Sequence, residues 1–257
     1  MLLSVSELLK RGLEVYKANT RLFLLYAALV SGPFTVLAVL YAYVFPPATA
    51  TPNMNPAEVT SFLLAVVASV WSLWVSLAFI RVIWAKVKGG AVKPIKEELG
   101  AALPLLPRAI GAAILGGLLA FFGFLFLIIP GVIVAVWFTF ASQEVAIENR
   151  TATDALRESK RLVSGRWSAI FWRVFATAAV FIFLTSAPQG LVRLIFESLS
   201  RILHLTQGGF GQNTLILLSD LIGIAITLVV TPFGTATQII FYDDAKKTGS
   251  QSPSTPA

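Results

Sequence analysis

The chain contains no cysteine, one histidine (His204) and few charges, since only 13 % of its 257 residues are Asp, Glu, Lys or Arg. Without cysteine there is no disulfide, no thiolate nucleophile and no thiolate-bound metal. A single histidine excludes the paired-His motifs of zinc hydrolases. A soluble domain carries about 25 % charged residues, so this chain cannot cover its surface with polar groups. With 56 % hydrophobic residues and a mean hydropathy of +0.80, it needs lipid as the solvent for much of that surface. It therefore reads as an integral membrane protein. No catalytic residue, metal ligand or cofactor-binding residue is assigned, and the expectation is of a non-enzyme without a cofactor.

Apolar runs predict six spans, at about 22–45, 60–84, 110–127, 132–146, 167–187 and 215–241. The expected fold is an all-α polytopic membrane protein, six transmembrane helices in three hairpins with amphipathic interfacial helices. Residues 1–247 form a single domain in this reading, and the Ser/Thr/Pro-rich segment 248–257 forms a disordered cytoplasmic tail. Ala48-Thr49-Ala50 mimics a signal cleavage site. The apolar run before it is longer than the roughly 7–15 residues of a signal core, which favours an uncleaved anchor.

The stretch FLIIPGVIVAVWF (126–138) decides the topology, because no charge occurs between Arg108 and Glu144. One helix over that interval would run about 50 Å against a hydrocarbon core of about 30 Å, more than tilt absorbs. Pro130 removes a donor and Gly131 permits a positive φ, so a tight turn is expected there, separating the third and fourth spans. With six spans and the N-terminus inside, 18 of 20 basic residues lie on the inner side and only Arg193 and Arg201 outside. That asymmetry predicts a bacterial cytoplasmic membrane location with both termini cytoplasmic. It also accounts for the net charge of +7 without a nucleic-acid partner.

Three inner segments read as surface helices that each feed a hairpin. In SVSELLKRGLEVYK the apolar face is Val5, Leu8, Leu9, Leu13 and Tyr16. KPIKEELGAALPLL is interrupted by Pro104. In TATDALRESKRLVSGRW, Thr151 and Asp154 fit a capping box, and Ala155, Leu156, Ser159, Leu162 and Val163 form the apolar stripe. Gly165 stops that helix, and Trp167 and Trp172 suit the interface. A fourth amphipathic segment, GLVRLIFESLSRILHLTQGGFGQN, is expected as an outer interfacial helix followed by a flexible return. PPATATPNMNP (46–56) is expected as a solvated outer connector.

The segment IIPGVIVAVWFTFASQEVAIENRTATDALRESKRLVSGRWSAIFW resembles part of the membrane domain of bacterial glycerophosphoryl diester phosphodiesterases. It also resembles related multi-pass inner-membrane families of uncharacterised role. The shared features are Pro-Gly after one span, the acidic Glu144 and Glu148 at the end of the next, Ala155-Leu156 with Ser159, then Gly165 and Trp167. IIFYDDAKK, at the end of the last span, fits as well, as does Tyr16-Lys17 before the first. The specific part covers about residues 128–172. The separate catalytic barrel of those enzymes has no counterpart here, so the resemblance implies a membrane partner module or scaffold and carries over no catalytic residue.

Ionisable residues at membrane depth are functional candidates because they are costly there. Glu144 and Arg173 are expected to pair, joining the fourth and fifth spans, against the alternative that Arg173 extends to the headgroups. Asp220 faces a polar cavity, pairs with Arg193 or Arg201, or stays hydrated; Gln143 and Gln238 are weaker candidates. Ala112, Gly116 and Ala120 have the small-xxx-small spacing of close helix packing, as do Ala113 and Gly117. Lys86, Lys88, Arg157, Lys160, Arg161 and Arg166 are candidates for contact with anionic lipid headgroups. The expected partners are membrane lipids, with a membrane protein or a second copy as further candidates. The function read from this is a non-enzymatic membrane module: a scaffold, a lipid-organising protein or a partner subunit of the envelope. The alternative is a small transporter or channel for a lipid-like or amphiphilic solute.

Overall fold

The computed structural model describes residues 2–43, 56–205 and 209–250, and no strand occurs among them. The helices are α1 (Val5–Ala18), α2 (Thr20–Tyr43), α3 (Pro56–Val87), α4 (Ile95–Ala102), α5 (Leu106–Phe126), α6 (Ile128–Trp137), α7 (Ala141–Ala146), α8 (Ala152–Val163), α9 (Trp167–Ile202) and α10 (Phe210–Ser250). A 3-10 turn at Leu103–Leu105, holding Pro104, joins α4 to α5. Six helical stretches are long and apolar enough to cross a membrane: Thr20–Tyr41, Glu58–Val87, Ile95–Phe126, Ile128–Ala146, Trp167–Ile202 and Phe210–Gly249. They overlap the six expected runs.

Several boundaries differ from expectation. The segment expected as a separate outer helix is the continuation of α9, which passes through Pro188 to Ile202. One proline removes one hydrogen bond and can be absorbed when its neighbours stay helical. Of the expected flexible return, Phe210 to Asn213 form the first turn of α10, where Asn213 N–H donates to the Gly209 carbonyl at 3.0 Å. Residues 206–208 lie outside the described residues, as does the connector at 46–55. Helix α10 runs to Ser250, so the first residues of the expected tail are helical, while 251–257 lie outside the described residues.

Two compact units are distinguishable within what the sequence suggests is one domain. The first comprises Met1–Thr20, Trp74–Ala179 and Phe233–Ala257. Its core gathers Leu8, Phe140, Val163, Ile170, Tyr242 and Ala245, all fully buried. Phe140 meets Phe241 edge-on at 5.3 Å. The second comprises Arg21–Leu73 and Val180–Pro232. There Trp71 Nε1 donates to the Leu29 carbonyl at 2.9 Å and Ser72 Oγ to that of Val30 at 2.6 Å. Gln189 Nε2 donates to Thr227 Oγ1 at 2.8 Å and to the Gly223 carbonyl at 3.0 Å. Each bond ties a polar group of one apolar helix to a neighbouring helix.

The surface helices of the first unit follow their caps. Ser4 accepts from Glu7 N–H at 3.3 Å at the start of α1, and Thr151 accepts from Asp154 N–H at 3.3 Å at the start of α8. The buried residues of α8 are Ala155, Leu156, Ser159, Leu162 and Val163, the expected stripe, and Gly165 follows at φ +77°. In α1 the buried positions are Leu8 and Gly12, whereas Leu13 is exposed. The packed face therefore turns toward Gly12, because a β-carbon at that position would land on Thr237 Oγ1 of α10. Only glycine lets the two helices approach so closely.

The turn in the 126–138 stretch is placed differently from the expectation. Helix α5 ends at Phe126, Leu127 is extended (φ −164°, ψ 148°), and Pro130 and Gly131 fall inside the first turn of α6. Gly131 does not use a positive φ, which among the described glycines belongs to Gly89 and Gly165. Its role is proximity: a β-carbon on Gly123 would sit 2.9 Å from Gly131 Cα, and one on Gly116 would sit 3.6 Å from the Phe138 ring. Both pairs are equidistant from Leu127 in sequence, so α5 and α6 form an antiparallel hairpin with Leu127 at its apex. Two backbone bonds bracket the apex. Leu127 N–H donates to the Gly123 carbonyl at 3.2 Å, and Gly131 N–H to that of Leu127 at 3.4 Å. Helix starts leave their first N–H groups orphaned. Pro130 has none to orphan, which suits an apex whose Phe126–Ile129 side chains are all apolar and exposed.

Gly123→Ala is expected to destabilise the hairpin by about 1–3 kcal/mol, because backbone faces backbone there and neither side can yield. Gly117→Ala, with open space around it, is the neutral control. Thermal melting in detergent followed by circular dichroism distinguishes the two.

Candidate functional site

Several ionisable residues of the first unit converge on the end of α10, the sequence Tyr242 to Thr248. Tyr242 is fully buried and donates its hydroxyl to Glu144 Oε1 at 2.9 Å. Its ring meets Trp84 at 5.7 Å and Phe140 at 5.8 Å. Asp243 pairs with Lys88 at 2.5 Å and Lys247 at 2.6 Å. Asp244 Oδ2 accepts the backbone N–H of Leu3 at 2.8 Å. Lys246 pairs with Glu148. Arg166 donates to the Ala245 carbonyl at 2.8 Å and to Thr248 Oγ1 at 2.6 Å. Successive residues on a helix point about 100° apart, so polar partners on every side mean that this end of α10 is encircled.

Glu144 is 1 % exposed and is held from two directions, by the Tyr242 hydroxyl and by Arg150 Nε at 2.8 Å. The expected pair with Arg173 does not form. Arg173 donates instead to the carbonyls of Leu3 at 2.7 Å, Leu2 at 3.1 Å and Ala169 at 2.8 Å. The chain before α1 offers the Leu2 and Leu3 carbonyls, and Arg150, six residues from Glu144, takes the carboxylate instead. Gln143 is buried beside Glu144, and Gln238 Nε2 reaches the Thr139 carbonyl at 3.4 Å.

The headgroup candidates have mixed fates. Lys88 lies over the Trp84 ring at 4.5 Å as well as pairing with Asp243. Burial pushes the Arg166 guanidinium down from its ordinary range, with Asp244 acting the other way. Lys160 sits over Trp137 at 4.4 Å. Arg157 pairs with Asp154 at 3.4 Å, and Arg161 with Glu158. Hydrogen bonding to Arg161 holds the Glu158 carboxyl below the usual range and raises Arg161. Lys86, in the last turn of α3, makes no ion pair among the described residues. Ala112, Gly116 and Ala120 lie on the less exposed face of α5, and a β-carbon on Gly116 would come within 3.2 Å of Leu156 in α8. Small residues here serve contacts within the chain.

Ser159 shows what a stripe analysis overlooks. Its hydroxyl donates to the Trp137 carbonyl at 2.7 Å and accepts from Phe140 N–H at 3.1 Å, bridging the break between α6 and α7. The charged FYDDAKK is the available signal for the α10 hub, since two adjacent aspartates following an apolar run need partners. Which partners they take is a property of the fold.

A second feature belongs to the other unit. The end of α9 and the start of α10 border a cavity of about 750 Å³. Arg193, Glu197, Ser200, Arg201 and His204 face it at helical spacing, opposite Gln212, Leu215, Ser219 and Asp220. Arg193 and Glu197 approach at 3.6 Å. Asp220 is exposed, lines the cavity and makes no ion pair among the described residues, so the expected pair with Arg193 or Arg201 does not form, while a cavity-facing and a hydrated carboxylate are both compatible with its placement. Among the described residues no group of three or more His, Asp or Glu side chains is placed to hold a metal ion.

Residues 67–245 match the family model described as a domain of unknown function, DUF7847. That match includes the 128–172 segment and shows no link to the phosphodiesterase membrane domains. No curated protein and no solved structure matches the chain.

Tyr242→Phe is expected to lower stability by about 1–3 kcal/mol, because it leaves a buried carboxylate short of a donor. In a double-mutant cycle with Glu144→Gln the effects are expected to be non-additive by more than about 0.5 kcal/mol. The Glu144→Gln and Arg173→Gln cycle is expected to be additive. Chemical denaturation in mild detergent measures both.

Proposed function

We propose that this chain, which belongs to the DUF7847 family, is a non-enzymatic integral membrane module that acts as a scaffold or partner subunit of the cell envelope. In this reading the six apolar helices cross the bilayer as three hairpins, both termini are cytoplasmic, and α1, α4 and α8 lie along the inner surface. The observation that carries it is the closed polar hub at the end of α10. Its charged groups are engaged with one another, as in a structural joint, and the joint fixes surface helices to spanning ones. The outward face of α8 carries Arg157, Lys160 and Arg161, so the same surface suits anionic headgroups or an acidic partner.

Transport of an amphiphile is the second reading, favoured by the placement of Asp220 in a cavity with Arg193 and Arg201. The two readings separate in liposomes. A scaffold gives no flux of an amphiphilic dye above empty vesicles, in wild type and Asp220→Asn alike; flux that requires Asp220 overturns it. Topology is tested by single-cysteine labelling, which has no background in a chain without cysteine. Lys93→Cys and Ser164→Cys are expected to react from the side of the N-terminus and His204→Cys from the opposite side. Labelling of all three from one side contradicts the six-span arrangement.

A further inference from the structure

We propose that the cavity between the end of α9 and the start of α10 binds a zwitterionic headgroup, a phosphate and an ammonium joined by a short linker. Two guanidinium groups, Arg193 and Arg201, and two carboxylates, Glu197 and Asp220, line the same space. A simple anion drawn in by the arginines meets both carboxylates, and a simple cation meets both arginines. A ligand carrying both signs satisfies the two sets together. Guanidinium is the side chain best shaped to hold phosphate through paired hydrogen bonds, and a carboxylate with no ion pair among the described residues, as Asp220 is, suits an ammonium.

The remaining features fit. The Arg193–Glu197 pair is long at 3.6 Å and its side chains are 75 % and 52 % exposed. Such a pair contributes little to stability and opens readily for a ligand. Phe196 and Leu215 give the cavity an apolar wall against which a glycerol backbone or acyl chain can lie. Its volume of about 750 Å³ falls within the roughly 300–1,000 Å³ of small-ligand sites. The headgroup chemistry has two sources, a bilayer phospholipid or a free phosphodiester. This inference goes beyond the scaffold reading and does not depend on the outcome of a flux assay.

The test uses the full chain in detergent micelles, presented with equal amounts of dioleoyl phosphatidylethanolamine and phosphatidylglycerol and read by native mass spectrometry. Wild type is expected to retain the ethanolamine lipid with about a tenfold preference. Asp220→Asn is expected to shift retention toward phosphatidylglycerol, and Arg201→Gln to weaken both lipids by about tenfold. Both positions are exposed, and an unchanged melting temperature verifies that each variant is folded. Glycerophosphoethanolamine distinguishes the sources. Competition by it assigns the site to the headgroup alone, free or lipid-borne, and failure to compete assigns it to the intact lipid. Equal retention of the two lipids by wild type, or retention that either variant leaves unchanged, overturns the proposal.

Discussion

A carboxylate removed from water must be met by donors from the protein, because burying an uncompensated charge costs far more than a single hydrogen bond returns. Glu144 imposes that condition on the first unit. One donor, Arg150, comes from six residues along the chain; the other, Tyr242, comes from the far end of the sequence. Bringing the Tyr242 hydroxyl to 2.9 Å fixes both the height and the rotation of α10. With these fixed, Asp243 meets Lys88 just after α3 and Lys247 one turn on, Asp244 meets the segment before α1, and Lys246 meets Glu148. The rest of the hub follows from that placement.

Close packing makes the placement sterically achievable. Gly12 admits Thr237, Gly116 admits Leu156, and Gly123 lies against Gly131. For a chain inserted in a bilayer as proposed, contacts between small residues supply much of the association between helices, since lipid tails are as apolar as the helices themselves. Ser159 contributes in another way, by answering the backbone groups left open where α6 gives way to α7.

Much of this organisation was legible in the sequence, for reasons that differ by feature. The six long helices announce themselves through length and hydropathy, and α8 through a Thr cap, a periodic stripe and a terminal glycine, all local signals. The break near residue 127 was also legible, but its position was not. Pro-Gly suggests a turn, whereas the proline here fills a helix start and the glycine serves a contact eight residues away. The partner of Glu144 is not legible, because Glu144 and Arg173 lie on adjacent expected spans at similar distances from their inner ends, which makes them look like neighbours. Depth says nothing of rotation about the helix axis. Gly12 was missed in α1 because hydrophobic periodicity is blind to a residue whose value lies in having no side chain. The continuation of α9 past Pro188 was hidden by a change in polarity that resembles a boundary.

The apex at Leu127 bears on how such a chain could enter a bilayer. A hairpin capped by a hydrated loop must drag that loop through hydrocarbon before its second helix can settle. Here the leading edge is Phe126, Leu127, Ile128 and Ile129, side chains that dissolve in lipid, with backbone bonds from Leu127 and Gly131 on either side of the apex. For a chain inserted as proposed, α5 and α6 can partition together as one preassembled wedge, with no hydrophilic cargo to translocate.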